Sequence, residues 1–368
     1  MKLMYLLPAL SSGGVEQVVL ELCQGMCAAG ADCTVVSAGG GMVPLIEAAG
    51  ARHIRLAIEK KSPSLVFTVF ALLRVLRREQ PDIVHVHSRV PGWVAHFALA
   101  MLPAGKRPAL VSTFHGFHSV NKYSSIMTHG AAVVAVSQSM KRHILEHYPA
   151  TDTERICVIP NSVDMEQNYP GFAPTAEWMA RWRSDYPELA GRYTLCLPGR
   201  ITRIKGCAHL IPILRSLIAR GIPAHAVVVG ETKRGKEKLR RELENAIAAA
   251  GLADRVTWTG HRSDLREVMA ACDVVLSLTL KPESFGKTTL EALALGRPVA
   301  GYEHGGVGEQ LEQFLPEGMI PVGDTAAMAE RLAEWYSAPP SLKKPVGAPY
   351  RRQDMIAAHL SLYKRLIR

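Results

Sequence analysis

Short apolar runs rich in β-branched residues recur along the chain, each followed by a glycine-containing or polar turn and then by a segment with apolar positions three and four apart. The first such set is KLMYLLPAL, SSGG and VEQVVLELCQGMCAAG, which predicts a strand, a turn and an amphipathic helix ending near Gly30. DCTVVSAGGG, PDIVHVHS, LVSTFHGF, AVVAVS and ICVIPNSVD predict further strands, with QSMKRHIL as a helix between the last two. From Lys60 to Arg78 the chain is apolar through its middle and basic at both ends; Ser62 and Pro63 suit a helix start, and Arg74, Arg77 and Arg78 complement its C-terminus. Met165 to Arg192 mixes Pro, Gly, Trp and charges without a period and predicts a connector with a short helix. The alternation then resumes through YTLCLPGRITRIKGCAHLIPIL, AHAVVVGETKRGKEKLRREL, RVTWTGHRSDLREVMAACDVVLS and the strand, loop and helix of ACDVVLSLTL, KPESFGKTT and LEALALG. PVGDTAAMAERLAEWY predicts a late helix, PPSLKKPVGAP a linker, and RRQDMIAAHLSLYKRLIR an amphipathic terminal helix. Strand and helix in alternation predict the α/β class, with parallel sheets covered by helices on both faces.

At 368 residues the chain is long for one core and suits two domains. A hydrophobic content of 48% excludes a disordered chain. No run approaches the roughly 18 apolar residues of a membrane span. MKLMYLLPAL imitates a signal peptide, yet it holds Pro8, lacks a small-residue cleavage pattern and runs straight into a glycine turn, so a first buried strand and a cytoplasmic setting are expected. Seven scattered cysteines do not form a disulfide framework. Cys23 and Cys27, one helical turn apart, lack further ligands for a metal and suit a buried role. The net charge of +10 favours anionic partners such as nucleotide diphosphates or an acidic lipid surface. Without aromatics interleaved among the basic residues, nucleic acid is not expected.

The candidate chemistry sits in the loops that follow predicted strands. Glu283 precedes a helix start and Glu291 falls about two turns inside that helix; between them Gly286, Lys287 and Thr288 form its first turn, a natural seat for a phosphate or sugar oxygen. The plainer alternative makes Glu283 a loop charge and Glu291 a partner of Lys287, worth about 0.3 to 0.5 kcal/mol. Gly199, Arg200, Lys205 and Gly206 place two cations five residues apart on a loop before a helix, where they can converge on one phosphate pair. Gly13 and Gly14 permit close backbone approach at the first helix start. His85 and His87 share a strand face, as a metal pair or as structural residues. His115 ends the next strand, where open α/β sheets bind ligands, with His118 as its substitute. Gly230, Gly235 and Lys236 imitate a nucleoside-triphosphate loop, but Glu237 stands where a hydroxyl would hold magnesium. No G-x-G-x-x-G follows a strand, which removes the fingerprint of a dinucleotide oxidoreductase.

The stretch ESFGKTTLEALALGRPV, with its two Glu, together with the Gly199 to Gly206 loop, resembles the signature of retaining glycosyltransferases of the GT-B fold, family four, similar to bacterial lipopolysaccharide-core and cell-envelope enzymes. The resemblance covers nearly the whole chain. It implies two Rossmann-like domains facing a cleft: residues 1–168 for the acceptor, 169–348 for the nucleotide sugar, and 349–368 as a helix crossing back onto the first. It implies Glu283 and His115 as catalytic residues. It implies donor contacts from Gly13, Gly14, Arg200, Lys205, Phe285, Gly286, Lys287, Thr288 and Glu291, the last on the ribose, with the base cradled near Gly260 and His261. The expected reaction moves a sugar from a UDP-, GDP- or ADP-sugar to a saccharide or glycolipid acceptor such as lipopolysaccharide core. No cofactor and no metal are expected, in keeping with the lack of any Asp-x-Asp in the sequence. A peripheral seat on the inner face of an anionic membrane is expected through the helix of residues 60–78. The alternatives are a nucleotide-sugar epimerase or hydrolase, and a nonenzymatic nucleotide-sugar-binding protein. Lys287 and the two threonines after it depart from the apolar residues of many relatives.

Overall fold

The computed structural model describes residues 1–11, 13–59, 65–232 and 235–367, divided into two compact units. Lys60, Lys61, Ser62 and Pro63, expected to open the basic-ended helix, lie outside the described residues.

The first unit spans Met1–Ser162 and takes back Ala348–Arg368. Its chain runs β1 (Lys2–Leu6), α1 (Gly14–Ala28), β2 (Asp32–Ser37), α2 (Val43–Ala48), β3 (Arg52–Arg55), α3 (Leu65–Glu79), β4 (Ile83–Val86), α4 (Arg89–Ala100), β5 (Ala109–Phe114), β6 (Ala132–Ala135), α5 (Gln138–His147) and β7 (Ile156–Val158). The strands pair in parallel in the order β3-β2-β1-β4-β5-β6-β7. Both faces are covered, so β1 is apolar without alternation: Met4 and Leu6 enter one core with Leu72, Leu76 and Val94, while Leu3 and Tyr5 enter the other with Val18, Leu22 and Met26. The sequence pattern left α2, β3 and α4 unassigned; the first two are only six and four residues long, too short for a period to declare itself.

The second unit, Val163–Gly347, carries α6 (Ala176–Asp185), β8 (Tyr193–Pro198), α7 (Leu210–Ala219), β9 (Ala224–Val229), α8 (Glu237–Ala249), β10 (Val256–Gly260), α9 (Leu265–Ala271), β11 (Val274–Ser277), α10 (Lys287–Ala294), β12 (Val299–Tyr302), α11 (Gly305–Phe314), β13 (Met319–Ile320) and α12 (Thr325–Ser337). Its strands are parallel in the order β10-β9-β8-β11-β12-β13. Asp273 ties the starts of β8 and β11 together, accepting from the Thr194 amide and hydroxyl at 2.7 Å each. The segment after β12, YEHGGVGEQL, whose glycines in the sequence permit close approach to a ligand, continues into the helix α11. Glu291 lies four residues beyond the first residue of α10, one turn inside the helix and not two.

The terminal helix α13 (Arg352–Ile367) belongs to the first unit. Met355, Leu362 and Tyr363 enter the core beside α1. A side chain in place of Gly25 would put its Cβ 2.3 Å from Ile356 Cδ1, so the α1 glycine is what lets the two helices approach.

Candidate active site

In each sheet the strand order reverses next to the first strand of its unit, between β1 and β4 and between β8 and β11. Loops leaving the carboxyl ends of such neighbours diverge and open a crevice for ligands. Every predicted site residue except Glu291, which lies one turn inside α10, is on a loop or helix start that follows a strand.

In the second unit the loop after β8 holds Arg200 and Lys205, and the loop after β11 holds Glu283. These two loops are stitched together. Leu280 N donates to Ile204 O at 2.7 Å, and Gly206, at φ +69°, lies so close that a Cβ there would be 2.0 Å from Leu278 O. Thr202 Oγ accepts from Lys205 N at 3.3 Å and rounds the turn. Lys205 Nζ then reaches Glu283 Oε1 at 2.6 Å, with both side chains half-buried. Arg200 is exposed and has no carboxylate partner among the described residues. Gly199, at φ +130°, passes beside the Lys205 side chain, and Gly230, at φ +142°, presses on Gly199 O from the β9 loop.

Glu283 is held from behind by α11. Gly306 N donates to Glu283 O at 2.7 Å, and Gly305, at φ +59°, leaves no room for a Cβ against that carbonyl. Gln310 Nε2 donates to the buried Phe285 O at 2.6 Å, while His304 Nε2 donates to Thr279 O at 2.8 Å. Gly286, at φ +83°, turns the chain into α10, so the positive end of that helix, with Lys287 and Thr288 in its first turn, follows the Glu283 loop directly. Glu291 projects from the next turn and is half-buried. Sequence reasoning missed Glu231: its carbonyl accepts from Ile201 N at 3.0 Å and its carboxylate from His261 N at 3.3 Å, linking the β8 loop to the Gly260 turn. It missed Gln310 as well, and it read Gly305 and Gly306 only as permitting close approach; what they touch depends on which loop α11 meets. Glu237, which stands where the imitation phosphate loop lacks a hydroxyl, accepts at Oε1 from Gly235 N at 2.8 Å.

In the first unit Gly13 is the extended N-cap of α1, with the Glu16 carboxylate folded against it, and Gly14 faces open space. His115 follows β5 directly, and its Nε2 lies 2.9 Å from His87 Nδ1. His85 packs beside His87, with Nδ1 2.7 Å from the Tyr363 hydroxyl and Nε2 2.7 Å from Thr113 Oγ1. Burial pushes the His85, His87, His115 and His359 rings below the usual histidine range, and the neighbouring histidines add to the effect for the first three. His118, expected as the substitute for His115, is also lowered by burial and by the Arg89 guanidinium. No group of three or more His, Cys, Asp or Glu among the described residues is arranged to hold a metal ion. A hollow of about 890 Å³ lies at the opposite, N-terminal ends of β4 and β5, lined by Arg77, Asp82, Lys106 and Leu366 among others, and contains none of the predicted site residues.

Residues 12–167 match Glycosyltransferase Family 4 and residues 179–351 match Glycosyl transferases group 1, together most of the chain. Among characterised relatives, the 2-deoxystreptamine N-acetyl-D-glucosaminyltransferase of Streptomyces fradiae is 27% identical over 302 residues, 77% of this chain and 69% of that one. The D-inositol 3-phosphate glycosyltransferase of an Arthrobacter strain is 27% identical over 277 residues, 68% of this chain and 62% of that one, so the chain spans less than two thirds of that relative. Among solved structures, a glycosyltransferase from Rickettsia africae superposes with a TM-score of 0.87 at 24% identity, over 100% of this chain and 98% of that one. The Anabaena protein HepE in complex with UDP gives 0.77 at 21% identity, over 100% and 96%. WaaG, described as a glycosyltransferase involved in lipopolysaccharide biosynthesis, gives 0.68 at 16% identity, over 99% and 98%. Paired parallel sheets with loops of this kind define a two-domain α/β enzyme of the GT-B fold. The chain belongs to the group 1 glycosyltransferases and is a glycosyl-transferring enzyme.

Proposed function

We propose that the protein transfers a sugar, with retention, from a nucleotide-sugar donor to a lipid-linked saccharide such as lipopolysaccharide core. The observation that carries this reading is the junction of the Lys205 and Glu283 loops at the switch point of the second sheet, beside the positive end of α10. A glycosyl phosphate leaves as an anion while the sugar gains oxocarbenium character. Arg200, Lys205 and the start of α10 stabilise the anion, and Glu283 both orients Lys205 and stabilises positive charge on the sugar. Glu291 binds the ribose, and Phe285, Gly286, Lys287 and Thr288 line the donor. The bond from the anomeric carbon to phosphate oxygen breaks and one to the acceptor oxygen forms, with the acceptor proton passing to the departing phosphate. These fixed cations make a divalent metal unnecessary for the step. The UDP complex of HepE supports a nucleotide donor.

The first unit carries the acceptor, with Gly13, Gly14 and His115 on its loops. A lipid-linked acceptor is supported by α3, where Phe67, Phe70, Arg74 and Arg77 share one exposed face, Phe67 being 75% exposed. No described helix is long and apolar enough to cross a membrane, so contact through α3 is peripheral. Relatives named for 2-deoxystreptamine and inositol 3-phosphate favour a second reading, a small polar acceptor.

The test is a thermal-shift screen of UDP-, GDP- and ADP-sugars, followed by transfer assays with the donor selected. Transfer to truncated lipopolysaccharide is expected. Transfer only to cyclitols or aminocyclitols supports the second reading. Released sugar without acceptor indicates a hydrolase or epimerase, and binding without turnover a nonenzymatic module.

A further inference from the structure

The buried histidines of the first unit surround one proposed site residue and restrict what it can do. His115 Nε2 and His87 Nδ1 are 2.9 Å apart with their rings stacked, so one nitrogen carries a proton and the other a lone pair. The other His87 nitrogen, Nε2, is buried and has no hydrogen-bond partner among the described residues. If His87 carried its proton there, an N–H donor would be orphaned in the interior. With the proton on Nδ1, only a lone pair is left unmatched, and orphaned donors are the rarer case in folded proteins. The His87 ring has little freedom to choose otherwise. It lies 4.2 Å from the His85 ring, centroid to centroid, and His85 is pinned by Tyr363 of α13 on one side and Thr113 of β5 on the other.

We propose that His87 is a positioning residue that donates from Nδ1 to His115 Nε2, fixing His115 as its Nδ1–H tautomer, a hydrogen-bond donor and not a base. The proposal rests on the reading of His115 as a catalytic residue. With Nε2 occupied and Nδ1 protonated, His115 has no lone pair to accept the acceptor proton, in agreement with its passage to the leaving phosphate. The burial that keeps both rings neutral favours the same arrangement.

The test is nitrogen NMR of the whole protein with ¹⁵N-labelled histidine at pH 7.5, His115 being assigned through His115→Gln. A protonated Nδ1 and an unprotonated Nε2 on His115 are expected; a proton on His115 Nε2 overturns the proposal. His87→Asn keeps an amide donor near the Nδ1 position and His87→Phe does not. The phenylalanine variant is expected to lose about tenfold in kcat, the worth of about one hydrogen bond, with the asparagine variant close to wild type and the donor KM of both within about twofold. Equal loss in the two variants overturns the positioning role. Unchanged turnover in His115→Ala overturns the catalytic reading of His115 and the role of His87 with it, whereas the tautomer is read separately from the spectrum.

Discussion

Lys205 Nζ and Glu283 Oε1 stand 2.6 Å apart, although 78 residues separate them in the chain. Each holds the other in place, so the cation that would meet a diphosphate is aimed before the donor arrives. Lys205→Ala and Arg200→Ala are expected to lower kcat/KM by roughly a hundred- to a thousandfold, the usual cost of removing one preorganised donor. The stability cost of breaking the half-buried Lys205 pair is expected to be only about 1 kcal/mol. Steady-state kinetics beside chemical denaturation separate the two; unchanged kinetics in both variants would remove the cations from the mechanism. EDTA is expected to leave turnover within about twofold of the untreated enzyme.

Glu291→Ala is expected to weaken binding of the free nucleoside diphosphate by about tenfold, the loss of about one hydrogen bond to a charged group. Titration calorimetry measures it directly. Full affinity in the variant would assign the ribose to another residue.

Gly206, in the loop after β8, and Gly221, in the turn between α7 and β9, differ in what surrounds them. Gly206→Ala places a Cβ 2.0 Å from Leu278 O and demands φ near +69°, so loop separation and loss of more than about 2 kcal/mol are expected. Gly221→Ala has a similar φ of +76° but open space around it, and about 1 kcal/mol is expected there. Equal melting temperatures for the two variants would contradict the close contact of the β8 and β11 loops.

The buried histidines set an acid limit on the first unit. His85, His87 and His359 have folded-state pKa values below the unfolded value of about 6.5, so the unfolded chain binds more protons between the two values. Their contribution to stability is therefore complete above about pH 6.5 and is lost as pH falls; for His359 the window runs down to about 4. Each contributes a slope of up to about 1.4 kcal/mol per pH unit in its window. Melting at pH 5, 6 and 7.5 is expected to show a steep fall below 6.5, made shallower by His359→Gln. The same melting temperature at pH 5 and 7.5 would mean that the cluster takes up protons freely.

Phe67 and Phe70 are exposed on the face of α3 that also carries Arg74 and Arg77. Flotation with vesicles containing about a third anionic lipid is expected to capture the protein at low salt, with loss of capture in Phe67→Asp/Phe70→Asp and at about 0.5 M salt. Failure of the wild type to float would end the membrane part of the proposal.

Much of the fold was legible before any coordinates. Strands such as β1, β8 and β9 are covered on both faces, so they appear as unbroken apolar runs. The loops with Arg200, Lys205 and Glu283 stood out because glycines and charges interrupt those runs where a strand ends. What escaped notice was local and short, as with α2 and β3, or depended on a distant partner. Glu231 looked like an ordinary loop carboxylate until its carbonyl and side chain were seen joining two other loops. The glycines of YEHGGVGEQL were evident in the sequence, but not their place against Glu283 and Phe285.

The amino-acid sequence alone determined the α/β alternation, the loops that carry the candidate site residues and the family resemblance, because periodicity and motif spacing are properties of neighbours along the chain. Only the tertiary structure decided that β8 lies beside β11, that Lys205 meets Glu283, and that Tyr363 reaches back across 278 residues to His85. Sheet order and helix return are set by how buried faces fit together in space, and no local pattern records which faces meet.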